Sequence, residues 1–255
     1  MNKILIFLFL SFSIVTFAQT QEPKVKPEQP KPAQLEKFYK STDVFLKKVV
    51  YQGRVDYSLV SKNKTELNRI ISRLKTFPAK ELSTTGIKKM FWLNVYNLSV
   101  IHFINKYKIK ESVQEIPGFY DTLFVNVGGN PYSLNAIEQI AFKLDLDTKL
   151  YFCFVQGAMS SPYLADSSYR HYEYDDMIYP HIDRIINNTE FIDMDEPKGK
   201  YKISEYFYML KPAIDTQNVP VLFWVNAFRR AEINSDFEET VVPFNWKLNS
   251  TKKPK

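Results

Sequence analysis

The sequence predicts an α+β domain built around one buried helix. Residues 90–104 are apolar almost all round, which in a soluble protein is typical of a helix enclosed by the domain. Two amphipathic helical patterns precede any strand, and the strands that follow alternate with helices at irregular intervals. This order favours a central helix packed on a small, mostly antiparallel sheet over a regular βαβ repeat.

The first folded segment is predicted to be helical. Residues 35–50 carry apolar side chains at helical spacing, with a break expected at residues 41–43, where Ser, Thr and Asp are adjacent. Residues 63–74 repeat the helical pattern, and Pro78 ends it. The chain therefore begins with helices that precede the central one.

The middle of the chain is predicted to alternate between strands and helices. Residues 119–127 are β-rich and stop at residues 128–131, a glycine-containing turn of the kind that joins two strands. Asn135 can cap a helix that runs to about residue 144. The apolar run at residues 149–155 predicts a buried strand, and residues 156–168 predict a loop.

The last third is predicted to hold two helices and a closing strand. Residues 178–186 fit a helix face, with Pro180 near the first turn. Pro220 opens a second helix, and residues 240–246 are predicted to close the sheet. The apolar residues that this second helix is expected to bury are Leu222, Phe223 and Val225.

The two ends of the chain differ in composition from the middle. Residues 1–18 have the charged start and apolar run of a signal peptide, and the run is shorter than the roughly 20 residues that span a bilayer. Residues 19–34 form a linker rich in Pro and Lys, residues 35–249 a single domain, and residues 250–255 a basic tail. We expect export to the periplasm or outside the cell, with no transmembrane segment after cleavage.

Composition excludes several classes of function. The net charge of +6 comes largely with lysines near the two ends, so we expect no nucleic-acid partner. Three histidines stand at no metal-ligand spacing, so we expect no metal and no cofactor. Cys153 is the only cysteine and lies in an apolar run, which favours a buried structural thiol over a reactive one.

Four short motifs resemble those of one family in the same order. They are GRVDY at residues 53–57, FWLNVYN at 91–97, SLNAIE at 133–138 and FNWKLN at 244–249. On these motifs the chain resembles the domain of unknown function 547 family from about residue 39 to residue 249. The resemblance implies a papain-like or transglutaminase-like architecture, with a helix packed on a small antiparallel sheet.

The chain departs from the family pattern at its reactive positions. The resemblance places Gln156 and Ser161 where family members carry two cysteines, and Gln139 and Tyr151 where they often carry histidines. Asn245 stands for an aspartate in the closing motif. A glutamine supplies neither thiolate nor proton transfer, and a serine needs a neighbouring base to act as a nucleophile. The departures therefore favour loss of hydrolase chemistry, and we assign no catalytic residue.

The candidate residues each have a structural and a functional interpretation. Two amides in the central helix can tie it to loops or line a pocket. Glu138 can complete a capping box with Asn135 or act as an acid. His171 lies in a tyrosine-rich loop that suits either a recognition surface or a cover over the sheet. The candidates for a remnant cleft or binding surface are Asn94, Asn97, Glu138, Gln156, Ser160, Ser161, His171, Asn245 and Trp246.

These observations lead to one expectation with two alternatives. We expect an exported, non-catalytic protein that binds another protein of the cell envelope. One alternative is a hydrolase with relocated chemistry, carried by Glu138 with His171 or by Ser160 and Ser161. The other is a carrier of a small apolar molecule, surrounded by Trp92, Tyr96 and Trp246.

Overall fold

A computed structural model describes residues 33–210 and 219–254. The predicted signal peptide, the linker up to residue 32 and the last residue of the basic tail lie outside the described residues, and Ala33 and Gln34 already belong to the first helix. The described residues form one compact unit. The helices are α1 (Ala33–Val49), α2 (Tyr57–Lys62), α3 (Lys64–Leu74), α4 (Thr85–Tyr107), α5 (Leu134–Lys143), α6 (Tyr174–Ile186), α7 (Tyr206–Met209) and α8 (Val221–Asn226).

The strands form three small sheets, which confirms the α+β class. Strands β1 (Val50–Tyr51) and β2 (Arg54–Val55) pair antiparallel, as do β3 (Phe124–Val127) and β4 (Asn130–Ser133). The third sheet has β6 (Lys200–Ser204) in the middle, with β5 (Ile192–Asp195) antiparallel to it and β7 (Glu238–Val242) parallel to it.

The central helix α4 confirms the prediction and is longer than expected. Thr84 caps it by accepting a hydrogen bond from the backbone N–H of Ile87, and Lys108 ends it in a left-handed conformation. Its residues are buried almost continuously from Lys89 to Ile104. It packs against α5 and α3, and the Trp92 ring lies edge-on to Tyr132 of β4. A helix buried on every side needs apolar residues on every side.

The predicted break in α1 is wrong. The hydroxyl of Thr42 donates to the carbonyl of Phe38 one turn earlier, at 2.9 Å, so the helix continues through it. The Asp43 carboxylate accepts hydrogen bonds from Ser168 and Arg170. Polar residues that suggested a break therefore have partners that keep the helix intact.

The predicted strand at residues 149–155 is also wrong. The segment Thr148–Phe152 is a short 3-10 helix, and the backbone N–H of Cys153 donates to Leu150 within that turn. The N–H of Val155 donates to the side chain of Asn97 instead of to a neighbouring strand. An apolar run buried on all sides does not by itself distinguish a strand from a helical turn.

Several boundaries differ from the predictions. Pro180 is the seventh residue of α6, not a first-turn residue. In α8, Phe223 is 65% exposed, whereas Val221 and Trp224 join Val225 in the core. The hairpin of β5 and β6 has no counterpart in the sequence analysis. The closing strand begins at Glu238, two residues earlier than expected, and ends at Val242, well before residue 246.

The first and last family-like motifs meet in the fold. The backbone N–H of Val55 donates to the carbonyl of Asn249, and the Tyr57 hydroxyl donates to its side-chain oxygen at 2.8 Å. Gly53 has a φ of +78°, and a Cβ there would lie 2.6 Å from the Cβ of Tyr163. Both the backbone conformation and the close approach require glycine at this turn. Within the described residues, no helix has the length and apolarity needed to cross a membrane.

Candidate functional site

One pocket brings Glu138 together with other polar side chains. It has a volume of about 330 Å³ and lies between α4, α5, α7 and three connecting segments. We call it the Glu138 pocket. Its lining residues are Tyr96, Tyr120, Asn135, Glu138, Gln139, Tyr151, Gln156, Tyr206, Met209, Leu210 and Trp246.

Among the described residues that line this pocket, Glu138 is the only acidic one. It stands on α5, whose N-cap is Ser133, since the Ser133 hydroxyl accepts a hydrogen bond from the N–H of Ala136. The predicted capping role for Asn135 and Glu138 is therefore wrong, because Glu138 stands too far along the helix to reach the cap. The helix start lies two residues earlier than the sequence pattern indicated.

The Glu138 carboxylate has no hydrogen-bond donor or salt-bridge partner among the described residues. Partial burial raises its pKa from the ordinary 4.5 to about 7, because a charged group loses hydration that nothing in the described part of the pocket replaces. A carboxyl with this pKa changes its charge near neutral pH. Perturbed groups in pockets of this kind are candidates for functional sites.

Four tyrosines surround Glu138. Burial raises the pKa of Tyr96, Tyr120, Tyr151 and Tyr206, and the Glu138 carboxylate adds to the rise in each case. All four therefore stay neutral at physiological pH. The Tyr120 hydroxyl donates to the backbone carbonyl of Gln156 at 2.7 Å, and the Tyr206 hydroxyl donates to that of Tyr151. These bonds fix two rings and leave their protons unavailable to Glu138.

Gln156 supplies a second acceptor without a donor. Its side-chain oxygen is buried and has no hydrogen-bond partner. The next residue, Gly157, has a φ of +76°, and a Cβ there would lie 2.9 Å from the Cδ1 of Ile104 on α4. The glycine lets this loop approach the central helix closely, which brings Gln156 to the pocket wall.

Comparison with known proteins identifies the family. A model of the family described as "Protein of unknown function, DUF547" matches residues 80–178. This match supports membership of the DUF547 family over residues 80–178. No curated protein and no solved structure matches it.

The matched region contains four of the five positions at which the chain departs from the expected family pattern, and Asn245 lies outside it. Gln139, Tyr151 and Gln156 all line the Glu138 pocket, and they stand where the resemblance implies two histidines and a cysteine. Three positions that lie up to 17 residues apart in sequence thus converge on one cavity.

The two asparagines of α4 lie outside this pocket. The Asn94 amide donates to the carbonyls of Met90 and Tyr169 and accepts from the N–H of Tyr169. The Asn97 amide donates to the carbonyl of Cys153 and accepts from the N–H of Val155. Both side chains are buried and tie the central helix to adjacent loops. The structural interpretation of these asparagines is confirmed.

The two serines are used in hydrogen bonds that stabilise the fold. The Ser160 hydroxyl accepts from the N–H of Asn245 at 2.9 Å, and the backbone N–H of Ser160 donates to the Asn245 carbonyl. Ser161 is fully buried, and its hydroxyl donates to the carbonyl of Ala158 at 2.6 Å. Neither hydroxyl bonds a basic side chain, although the backbone carbonyl of Ser161 accepts from the Arg54 guanidinium at 3.4 Å. Neither serine lines the Glu138 pocket. Of the closing motif, only Trp246 reaches the pocket.

The histidines form no site. His171 lies on the surface against Gly86, where a Cβ would lie 2.0 Å from its Nδ1, and it does not line the pocket with Glu138. Burial lowers the pKa of His102 and of His181 to about 4, so both are neutral at physiological pH. In the described ranges, no three His, Cys, Asp or Glu side chains are grouped to hold a metal ion. Cys153 is buried, and burial raises the pKa of its thiol.

Sequence reasoning missed part of the pocket. Tyr120 and Tyr206 carry no local signal, because they enter from segments that are distant in sequence and acquire their role only through the fold. Met209 ends α7 and Leu210 follows it, and both add apolar surface to the pocket wall. Of the predicted site residues, the structure unites Glu138, Gln156 and Trp246 in the pocket. The other six lie elsewhere.

Proposed function

We propose that this protein is an exported, non-catalytic member of the DUF547 family that binds a partner molecule of the cell envelope in the Glu138 pocket. One observation carries the proposal. The positions where the resemblance implies a cysteine and two histidines, now Gln156, Gln139 and Tyr151, line one pocket together. The cavity is present, whereas the thiol and imidazole groups are absent from its described walls.

The hydrogen bonding of the serines supports a non-catalytic function. A serine nucleophile needs an adjacent base to take its proton. The Ser161 hydroxyl is enclosed and donates to a backbone carbonyl, and the Ser160 hydroxyl accepts from a backbone N–H. Neither hydroxyl meets the requirement in this structure. The alternative that depends on Ser160 and Ser161 therefore has no geometric support, and neither has the pairing of Glu138 with His171.

A second candidate function rests on Glu138 alone. A carboxyl in a pocket with a pKa of about 7 can act as a general acid or base near neutral pH. Such an enzyme would lose turnover in the Glu138→Gln variant and keep it in the matched exposed variant Glu232→Gln. The carrier of an apolar molecule is less well supported, because Trp92 packs against Phe91 and Tyr132 in the core and not in the pocket.

Site-specific photo-crosslinking tests the binding proposal. A photo-crosslinking amino acid at position 139, on the exposed rim of the pocket, should capture an envelope molecule, whereas the same amino acid at exposed position 80 should not. Capture should be lost when Glu138→Gln is added and kept with Glu232→Gln. Absence of any Glu138-dependent capture would contradict the proposal, and so would labelling of Ser160 or Ser161 by hydrolase probes.

The proposed export has its own test. A signal peptide at residues 1–18 gives a mature protein that begins at Gln19. Mass spectrometry of the protein from the periplasm or medium should show that N-terminus. An uncleaved chain confined to the cytoplasm would contradict export and leave the pocket proposal to be judged by the crosslinking.

A further inference from the structure

We infer that the Glu138 pocket is a binding site for an organic cation, an ammonium or guanidinium group carried by a small molecule or by a side chain of a partner protein. The inference rests on the proposed binding function and adds the chemical class of the ligand. It depends on charge, on unused acceptors and on the aromatic walls of the pocket.

The described residues that line the pocket include an acidic side chain and no basic one. Among the eleven described residues that line it, Glu138 is the only carboxylate and none is Lys, Arg or His. A partly buried carboxylate without a counter-ion is unfavourable unless it takes up a proton or gains a positively charged partner. A ligand cation supplies that partner.

The hydrogen-bonding groups of the pocket call for a donor. The Glu138 carboxylate and the buried side-chain oxygen of Gln156 both lack a donor among the described residues. Tyr120 and Tyr206 cannot provide one without breaking their bonds to backbone carbonyls, and the hydroxyls of Tyr96 and Tyr151 donate to neither acceptor. Ammonium and guanidinium groups carry several N–H donors and no acceptor, which matches this arrangement.

The walls of the pocket suit a cation as well. Tyrosine and tryptophan faces attract cations within about 6 Å of the ring centre. Tyr96, Tyr120, Tyr151, Tyr206 and Trp246 provide five aromatic rings around a single carboxylate. The apolar side chains of Met209 and Leu210 lie on the same cavity and can contact the methylene groups of an alkyl chain.

Three other sites in this chain combine a carboxylate, a tyrosine ring and a Lys or Arg cation. In each, a Lys or Arg nitrogen lies within 3.4 Å of a carboxylate oxygen while its cationic group lies within 5.4 Å of a tyrosine ring centre. In the Glu138 pocket, the carboxylate and the tyrosines are present without a cation from the described residues. The completed sets are Lys89 with Asp147 and Tyr174, Arg54 with Glu190 and Tyr163, and Arg170 with Asp43 and Tyr39.

Calorimetric titration with matched probes tests the inference. We expect butylammonium and butylguanidinium to bind the full mature protein, and neutral butanol and anionic butyrate to bind at least about tenfold more weakly. A capped lysine peptide distinguishes the sources. If it binds at least tenfold more tightly than butylammonium, a protein side chain is the source. If the two bind equally, the source is a small amine.

Variants and pH sharpen the test. Glu138→Gln should abolish cation binding, whereas Glu232→Gln, an identical change at an exposed position, should leave it unchanged. Trp246→Leu should weaken it without altering the charge. Because the carboxyl must be ionised, affinity should be about tenfold higher at pH 8 than at pH 6. Tyr96, Tyr120, Tyr151 and Tyr206 face Glu138 and stay neutral over this range, and no histidine lines the pocket.

The outcomes separate this inference from the proposed function. Equal binding of butanol and butylammonium, or undiminished binding by a folded Glu138→Gln variant, would overturn the cation assignment. If the photo-crosslinking amino acid at position 139 still captured an envelope molecule after either outcome, the binding function would stand. Loss of Glu138-dependent capture together with tight cation binding would instead overturn the envelope partner and keep the ligand class.

Discussion

The Glu138→Gln variant should be more stable than the wild type, and the advantage should grow with pH. In the unfolded chain the carboxyl ionises with a pKa near 4.5, whereas in the folded protein burial raises the pKa to about 7. The folded state therefore disfavours the charged form. The contribution of Glu138 to the free energy of unfolding therefore falls as pH rises from 4.5 towards 7 and is level above that.

The magnitude follows from the two pKa values. A shift of this size corresponds to about 3 kcal/mol of lost stability at high pH, with about 1.4 kcal/mol for each pH unit between the two values. Because the side chain is only partly buried, solvent screening reduces the expected effect to about 2 kcal/mol. Glutamine has nearly the same shape without the charge, so it removes this cost and little else.

The assay is urea unfolding of both proteins at pH 5 and pH 8. All other titrating groups are shared, so the difference between variant and wild type isolates Glu138. That difference should increase by about 1.5 kcal/mol from pH 5 to pH 8 in favour of the variant, because part of the total effect is already present at pH 5. A difference that is the same at both pH values would refute the account of an unpaired carboxylate. Glu232→Gln, at an exposed site, serves as the control.

Two further predictions concern residues that shape the fold. Gly53→Ala should destabilise by about 2–4 kcal/mol in thermal unfolding, because its φ is +78° and a Cβ would collide with Tyr163. Gly129→Ala, at φ +83° with open space around it, should cost only about 1 kcal/mol, and equal losses would contradict the packing argument. Asn97→Ala should cost about 2–4 kcal/mol, because a buried carbonyl and a buried N–H lose their partner. The control is Asn130→Ala, whose amide is exposed and whose loss should change stability by less than about 0.5 kcal/mol. An equally small effect of Asn97→Ala would contradict the role of Asn97 in holding α4 to the adjacent loop.

Several residues of the motifs that carry the family resemblance have structural roles. Asp56 caps α2 by accepting from the N–H groups of Ser58 and Leu59, and its second oxygen accepts from the N–H of Lys253. Asn97 ties α4 to the loop after residue 152. Such residues stabilise the fold around the pocket, and this role does not depend on the function of the pocket.

The sequence predicted best where local pattern and burial agree. Helix α4 is apolar on all sides and buried on all sides, so its pattern identified it directly. Residues 149–155 are equally apolar, but their backbone turns to bond Leu150 and Asn97, which no local pattern reveals. Strand β5 does alternate apolar and polar residues, but over only four residues, and two of these are aspartates, which are depleted in strands.

The site was predictable only in part for the same reason. The departures from the family pattern drew attention to Gln139, Tyr151 and Gln156, which proved to line one pocket. The tyrosines at 120 and 206 could not be found, because their role depends on tertiary contacts between distant segments. The state of Glu138 also depends on burial, and the capping pattern in the sequence pointed to a different role.

The most direct test of the whole account is the ionisation of Glu138 itself. Carbon NMR of protein labelled at glutamate side chains can follow each carboxyl through a pH titration, with Glu138→Gln identifying the resonance. We predict a midpoint near pH 7 for Glu138, which moves towards 4.5 when butylammonium is bound because a paired cation favours the charged form. A midpoint near 4.5 in the free protein would contradict the unpaired, partly buried carboxylate on which the proposed pocket depends.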